Sequence, residues 1–151
     1  MNKLWVFQAN RYFTEEENTF IQKFLKEVLK EWNTHGKLLQ SEYKIVYNHF
    51  IIIIVHEENI KASGCAIDDL TRGIKQLEQE LNISLLNRME IAYKKDDKIE
   101  ILPLNTFKNN VKEGLLDGET IIFNNSVSTI EDFEKNWEIP LKDSWAKNLL
   151  P

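Results

Sequence analysis

The residues most able to do chemistry lie in one short segment, Ser63-Gly64-Cys65-Ala66-Ile67-Asp68-Asp69. A glycine-bearing turn that leads into a helix exposes backbone N–H groups, and the helix dipole there favours anions, including thiolates. Cys65 is therefore a candidate nucleophile, and Ser63, Gly64 and Cys65 are candidate ligand-binding residues. Two observations oppose this role. Asp68 and Asp69 are expected to cap the same helix end and to compete with an anion, and a free cysteine is often simply buried.

Catalysis by Cys65 requires a base, and the chain has three histidines, His35, His49 and His56. We expect His56 to lie nearest, because it closes an apolar strand just before the Ser63 loop. His35 is expected at the C-terminal end of the first helix and is the second candidate base, whereas His49 is assigned to a turn. With Asp68 to orient the base, these residues form the candidate catalytic set.

The arginines are candidate ligands for a small anion, because a guanidinium binds carboxylates with two parallel hydrogen bonds. Arg11 follows the first strand and Arg72 lies one turn into the second helix, so both are candidates beside the Ser63 loop. The alternative is that each arginine pairs with a surface acid.

The cysteine and the histidines do not have the spacing that zinc ligands favour, so we expect no metal or cofactor.

A protein that hydrolyses nucleotides is expected to carry the sequence motifs of ATPases. The apolar run Ile51–Val55 resembles the strand that in ATPases ends in Asp-Glu. In this chain His56 stands where the metal-binding aspartate would be. The phosphate loop needs two glycines separated by four residues and followed by Lys and Ser or Thr. Glycines occur only at positions 36, 64, 73, 114 and 118, and no pair has that separation. The sequence therefore predicts no phosphate-binding loop.

The first half of the chain predicts a strand, a helix and a hairpin. Leu4–Phe7 is an apolar run of strand length. Thr14 and Glu17 have the spacing of a capping box, and the helix that they begin is expected to end at Gly36. Tyr43–Tyr47 and Phe50–His56 read as two hairpin strands joined at Asn48 and His49. Because its residues 51–55 are all aliphatic, the second of these strands is expected at the centre of a sheet.

The second half predicts a helix with an apolar stripe from Ile67 to Leu81, then a hairpin of Met89–Tyr93 and Ile99–Ile101 around the turn Lys95–Lys98. The element order indicates an α+β fold, a ferredoxin-like split β-α-β core with an added hairpin strand. A C-terminal helical extension follows. It comprises a short helix at 107–115, a strand at 120–123 and a helix that begins at Ser128 or Thr129 and stops at Pro140.

Length and composition favour one ordinary globular domain over residues 1–151, since 42% of the residues are hydrophobic and 28% are charged. The net charge of -5 makes nucleic acid a poor partner. The longest apolar run, Phe50–Val55, is far shorter than the ~20 residues of a membrane span. One cysteine and an N-terminus without a signal-peptide pattern predict a cytoplasmic protein.

Three segments, Trp5-Val6-Phe7-Gln8-Ala9-Asn10-Arg11, Trp32 with His35-Gly36, and the Ser-Gly-Cys-x-Ile-Asp segment from Ser63, resemble a family of domain-sized Bacteroidetes proteins. The resemblance covers nearly the whole chain. Members often carry the label "ABC transporter ATPase", which this chain does not support because it lacks the phosphate-binding loop. The resemblance implies a bacterial cytoplasmic origin and no particular activity.

The sequence favours a non-catalytic module that binds a small molecule or a protein. Its expected binding face is the Ser63–Asp68 loop with the His35-Gly36 turn. One alternative is a thiol-dependent enzyme with Cys65 as nucleophile, and another is a protein-docking module that uses Trp137, Trp145 and the acidic face. A homodimer through the edge of the added hairpin strand also stays open, although charges in the Lys95–Lys98 turn oppose it.

Overall fold

A computed structural model describes residues 2–58 and 60–151 and shows a mixed α+β chain. The chain divides into two compact units. The first extends to Leu86 and includes Ser128–Ile130, and the second comprises Asn87–Val127 and Glu131–Pro151. The single domain expected over residues 1–151 stays a prediction. Within the described residues, no helix is long and apolar enough to cross a membrane.

The described part of the first unit contains five strands and two helices: β1 (Asn2–Gln8), α1 (Glu15–Glu31), β2 (Asn33–Thr34), β3 (Lys37–Leu38), β4 (Ser41–Val46), β5 (Phe50–His56) and α2 (Gly64–Leu81). Strands β1, β5 and β4 form an antiparallel sheet in that order, and β2 pairs with β3 in a separate hairpin. The prediction that β5 is a central strand is confirmed.

The core of the first unit lies between this sheet and the two helices. Ile51, Ile53 and Val55 of β5 belong to a buried cluster that also includes Leu25 of α1 and Leu70 of α2. Alternate residues of a strand face opposite sides of the sheet, so one face of β5 meets the helices. The predicted capping box at the start of α1 is confirmed, because Thr14 and Glu17 exchange side-chain and backbone hydrogen bonds.

The prediction that α1 ends at Gly36 is wrong. The helix ends at Glu31, and Trp32 turns into extended backbone at φ -68° and ψ 123°. His35 and Gly36 instead form the turn between β2 and β3, where both have positive φ, 53° and 82°. A two-residue hairpin turn of this kind requires positive φ at both positions, which explains the glycine. His35 therefore does not lie at the end of the helix.

Beyond Leu86 the chain forms the elements β6 (Glu90–Lys95), β7 (Lys98–Pro103), α3 (Leu104–Lys112), β8 (Ile121–Phe123), α4 (Ile130–Asn136), β9 (Glu138–Pro140) and two short 3-10 helices, Leu141–Asp143 and Trp145–Leu149. The strands form a sheet in the order β7-β6-β8-β9. Phe107, Val111, Ile122 and Leu141 are at the centre of the second unit's core.

The β6–β7 hairpin confirms the predicted strands on either side of the Lys95–Lys98 turn. The last helix does not extend to Pro140, because Glu138–Pro140 pairs with β8 as strand β9. In the predicted ferredoxin-like core, β6 would join the sheet of β1, but β6 pairs with β7 and β8. The sheet of the first unit therefore contains three strands in the described residues, with β1 and β4 at its two edges.

Candidate binding surface

The predicted turn from β5 into α2 exists, and its polar groups are used within the fold. Ser63 caps α2 through its Oγ, which accepts a hydrogen bond from the N–H of Ala66 (3.2 Å). The N–H of Ser63 donates to Thr34 Oγ1 (3.2 Å). The buried indole Nε1 of Trp32 donates to the carbonyl of Ala66 (2.7 Å). These bonds join the start of α2 to the β2–β3 hairpin and to the end of α1.

Ala62, which directly precedes Ser63, is held by a buried carboxylate. Glu57 is 7% exposed, and its Oε2 accepts a hydrogen bond from the N–H of Ala62 (2.8 Å). Lys3 Nζ lies 3.9 Å from the other carboxylate oxygen. A buried carboxylate requires such partners, so Glu57 has a structural role at this position.

The expectation that Asp68 and Asp69 cap α2 is wrong, because the first turn of α2 contains no acidic residue. Ser63 occupies the capping position, which leaves both aspartates one turn further along the helix. Asp68 is exposed there, and Asp69 forms an ion pair with Arg72. They therefore do not compete with an anion for the backbone N–H groups of the first turn.

Cys65 is exposed on the first turn of α2, and no described hydrogen bond joins it to a candidate base. His56 Nε2 lies 2.9 Å from Glu42 Oε2 and is engaged there. His35 is exposed at the tip of the β2–β3 hairpin. The contacts of the described residues thus do not assemble Cys65, His56, His35 and Asp68 into one hydrogen-bonded set.

The two candidate arginines are both paired locally. Arg11 binds the Glu17 carboxylate through both terminal nitrogens, at 2.7 and 2.8 Å. The hydrogen-bonded guanidinium lowers the pKa of Glu17 to about 2, and the Glu17 carboxylate in turn raises the pKa of Arg11. Arg72 pairs with Asp69 within α2. Both arginines therefore pair with surface acids, as the alternative prediction stated.

The two tryptophans of the C-terminal segment differ in exposure. Trp137 is buried, and its Nε1 donates to Asn125 Oδ1 (2.9 Å). Trp145 is 49% exposed and lies beside Phe107, with ring centroids 5.7 Å apart. Only Trp145 is placed where its ring could meet a partner.

His49, which the sequence assigns to a turn, is buried in the structure. It is 1% exposed, and its Nδ1 has no hydrogen-bond partner in the described part of the chain. Desolvation lowers the pKa of His49, and its own backbone carbonyl partly opposes the shift. The edge-to-face ring of Tyr12 covers it at a centroid distance of 4.8 Å. A histidine in a hairpin turn gives no sequence signal of such burial.

An open groove of about 430 Å³ runs between α1 and β4, and none of its lining residues was predicted as a site residue. Asn18 and Gln22 of α1 line one side, and residues 43–46 of β4 line the other. Gln22 donates to Asn18 (2.6 Å), and Asn18 donates to Asn48 (2.5 Å) in the β4–β5 turn. The groove is therefore bordered by a row of hydrogen-bonded amide side chains.

The backbone of β4 beside this groove has an unpaired edge. The N–H of His56 donates to the carbonyl of Gln40 (2.8 Å), whereas the carbonyl of His49 accepts from Ala9 on the β1 side (2.9 Å). Successive residues of a strand direct their N–H and C=O groups to opposite sides. The backbone N–H and C=O groups of the even-numbered residues of β4 therefore face β5, and those of Ser41, Tyr43 and Ile45 face outward. No described hydrogen bond uses the backbone groups of these three residues.

The opposite edge of the sheet is different. The N–H of Leu4 in β1 donates to the carbonyl of Ser128 (3.0 Å), and Lys3 forms a bridge with Thr129. Residues 128 and 129 therefore cover part of the β1 edge.

Comparisons with protein-family models, with curated proteins and with solved structures found no match, so the geometry of this chain alone supports the assignment below. The residues that the structure describes contain no cluster of three or more His, Cys, Asp or Glu side chains suited to a metal ion.

Proposed function

We propose that this protein is a non-catalytic module that binds a protein partner at the edge of β4 and the groove beside it. The observation that carries the proposal is the outward row of backbone N–H and C=O groups at Ser41, Tyr43 and Ile45. An extended segment that adds to a sheet edge gains affinity from main-chain hydrogen bonds. Asn18 and Gln22 add side-chain hydrogen-bonding capacity next to that row.

Binding is favoured over catalysis because the groove and the thiol are separate features. The groove is lined by amide, aromatic, aliphatic and lysine side chains, without a nucleophile and base in hydrogen-bond contact. Cys65 does not line it. Recognition of an extended chain requires neither a nucleophile nor a base.

A proline at the edge tests the proposal. Ser41 is the first residue of β4 and its N–H points outward, so Ser41→Pro removes an edge donor without breaking a bond within the sheet. We expect Ser41→Pro to weaken the binding of fluorescent hexapeptides that alternate apolar and charged residues, measured by anisotropy. Ser41→Ala keeps the N–H and is the control. Equal binding by both variants would contradict the proposal, as would a parent protein that binds no peptide and does not associate with a second copy of itself.

The start of α2 stays a second candidate, as a site for a small anion. The observation that favours it is that Gly64 and Cys65 are exposed and that no described hydrogen bond uses their N–H groups. Isothermal titration with inorganic phosphate tests it, and heat that is unchanged in Gly64→Pro would exclude it.

A thiol-dependent enzyme, with Cys65 as nucleophile and His56 or His35 as base, is the alternative proposal. It predicts alkylation of Cys65 by iodoacetamide well below pH ~8.5, which a plain surface thiol does not show. A rate equal to that of a small-molecule thiol across pH would exclude it.

We also propose that the first unit is a ferredoxin-like split β-α-β unit in which β1, β5 and β4 occupy three of the four strand positions. The order β1-β5-β4 and the helix after β1 support this assignment. A cytoplasmic location is proposed with it, because an exposed free thiol such as Cys65 suits a reducing compartment.

A further inference from the structure

We infer that the partner at the β4 edge is a second copy of this chain, joined by antiparallel pairing of β4 with β4 across a twofold axis. This inference rests on the proposed function and names its partner. It depends on two properties of β4, whose sequence is Ser-Glu-Tyr-Lys-Ile-Val: which backbone groups face outward, and which charges flank the centre.

The outward backbone groups are self-complementary about Tyr43. A twofold axis through Tyr43 places the residue opposite itself in the second copy, and places Ser41 opposite Ile45. All three residues direct their N–H and C=O groups outward, so each facing pair can exchange two hydrogen bonds, as antiparallel strands require. A six-residue strand is long enough for this pairing.

The charges select the same register. Glu42 and Lys44 lie between the hydrogen-bonded positions, and pairing about Tyr43 brings Glu42 of one copy opposite Lys44 of the other. In these positions the Cα atoms approach to about 4.5 Å, so side chains meet most closely there. Both side chains are exposed. Pairing about Ser41 or Ile45 instead would leave Glu42 and Lys44 without oppositely charged residues facing them.

A charged edge strand usually prevents association, and a lysine is a common means to this end. Here the acid two residues before the lysine changes the outcome, because each charge meets its opposite only in one antiparallel register. Opposite charges in facing positions stabilise a strand pair, and like charges destabilise it. The edge thus favours a strand with the same order of charges, such as its own copy, over strands that lack this order.

Charge reversal followed by mixing tests the inference by sedimentation velocity over a wide range of chain concentration. The parent protein is expected to approach twice its chain mass of 17.8 kDa as concentration rises. Glu42→Lys and Lys44→Glu each place like charges opposite one another, and each is expected to raise the dimer dissociation constant at least about tenfold. An equimolar mixture of the two variants restores both opposite-charge pairs and is expected to form a heterodimer.

Two controls accompany the mixture. The double variant with both reversals is expected to dimerise like the parent, and Lys75→Glu, an equal charge change on α2, is expected to have no effect. Glu42 and Lys44 are exposed, and Glu42→Lys removes only the exposed contact with His56, so circular dichroism should show unchanged folding in both single variants.

A parent protein that stays monomeric throughout overturns the inference, as does a mixture that fails to associate or a single variant that dimerises like the parent. A monomeric parent whose peptide binding is lost in Ser41→Pro would refute the second copy and leave the proposed function standing. A monomer that also binds no peptide would refute both.

Discussion

The start of α2 and the edge of β4 differ in what their polar groups do. At the start of α2, the Ser63 hydroxyl, the Ala66 carbonyl and the Ala62 N–H all have partners within the first unit. At the edge of β4, the outward backbone groups of Ser41 and Tyr43 have none among the described residues. The named groups of Ser63, Ala66 and Ala62 thus serve the fold, whereas the β4 edge, with ordinary residue types, offers a row of unused hydrogen-bonding groups.

This difference shows that residue type alone does not locate a binding surface. Buried or partly buried polar groups must be paired for the fold to be stable, so a Ser, Glu or Trp near a helix end is often used by the fold itself. A strand edge exposes unpaired main-chain groups whatever its side chains are. Changes to the paired groups at the start of α2 should therefore affect stability, and changes at the β4 edge should affect association.

The largest effect on stability is expected from Trp32→Phe. The substitution removes the Nε1–H that donates to the Ala66 carbonyl and leaves that carbonyl without this buried partner. We expect the free energy of unfolding to fall by about 1–3 kcal/mol in urea denaturation. Trp145→Phe, at an exposed indole, is the matched control and should change it by no more than about 0.5 kcal/mol. Equal effects of the two substitutions would contradict the structural role of Trp32.

A smaller loss is expected from Ser63→Ala, which removes the side-chain cap of α2. The free energy of unfolding should fall by about 1 kcal/mol, and the dimer dissociation constant should not change. Ser63→Asp keeps a capping oxygen and should restore most of the loss. If Ser63→Ala changed association more than stability, the division between the two regions would be wrong.

His49 predicts a pH dependence of stability. Burial lowers its pKa below the ordinary 6.5, so between its folded pKa and 6.5 the unfolded chain binds more protons than the folded chain. The free energy of unfolding should therefore decrease as pH falls below 6.5, until the folded pKa is reached. His49→Phe should flatten this part of the profile, whereas His35→Phe, at an exposed position, should leave it intact.

The carboxyl of Glu17 acts in a more acidic window. Its pKa of about 2 in the folded chain lies below its ordinary value of 4.5. Its contribution to the free energy of unfolding is therefore complete above pH 4.5 and is lost as pH falls toward 2.

The smallest effects are expected from Arg72→Ala and Cys65→Ser. The pair of Arg72 with Asp69 is exposed, and exposed ion pairs contribute little. Cys65 is exposed, and its thiol forms no described hydrogen bond. Each substitution should change the free energy of unfolding by less than about 0.5 kcal/mol and leave the dimer mass unchanged. A larger change in the free energy of unfolding would show that these side chains stabilise the fold, and a changed dimer mass would show that the start of α2 takes part in association.

Local patterns predicted much of the fold. The capping box of Thr14 and Glu17, the aliphatic run of β5, the β4–β5 hairpin and the turn before α2 all follow from interactions between residues close in sequence. The sheet membership of β6 and strand β9 did not follow, because strand pairing depends on distant partners. The end of α1 was misplaced because the positive φ of Gly36 suits both a helix end and a hairpin turn.

The candidate surface could not be predicted in the same way. The backbone N–H and C=O groups of Tyr43 point outward because of which β5 residues bond to β1, and that register is a tertiary property. The burial of His49 likewise depends on Tyr12, far from it in sequence. By contrast, the interest in Cys65 came from its residue type at a helix start, and the structure adds only its exposure.

Backbone amide hydrogen exchange as a function of chain concentration tests the central claim most directly. The amides of Ser41, Tyr43 and Ile45 should exchange rapidly in dilute protein and become protected as concentration rises, while those of Gly64 and Cys65 exchange at a constant rate. If the Tyr43 amide exchanged at the same rate at every concentration, or if protection developed at Gly64 and Cys65 instead, the β4 edge would not be the binding surface.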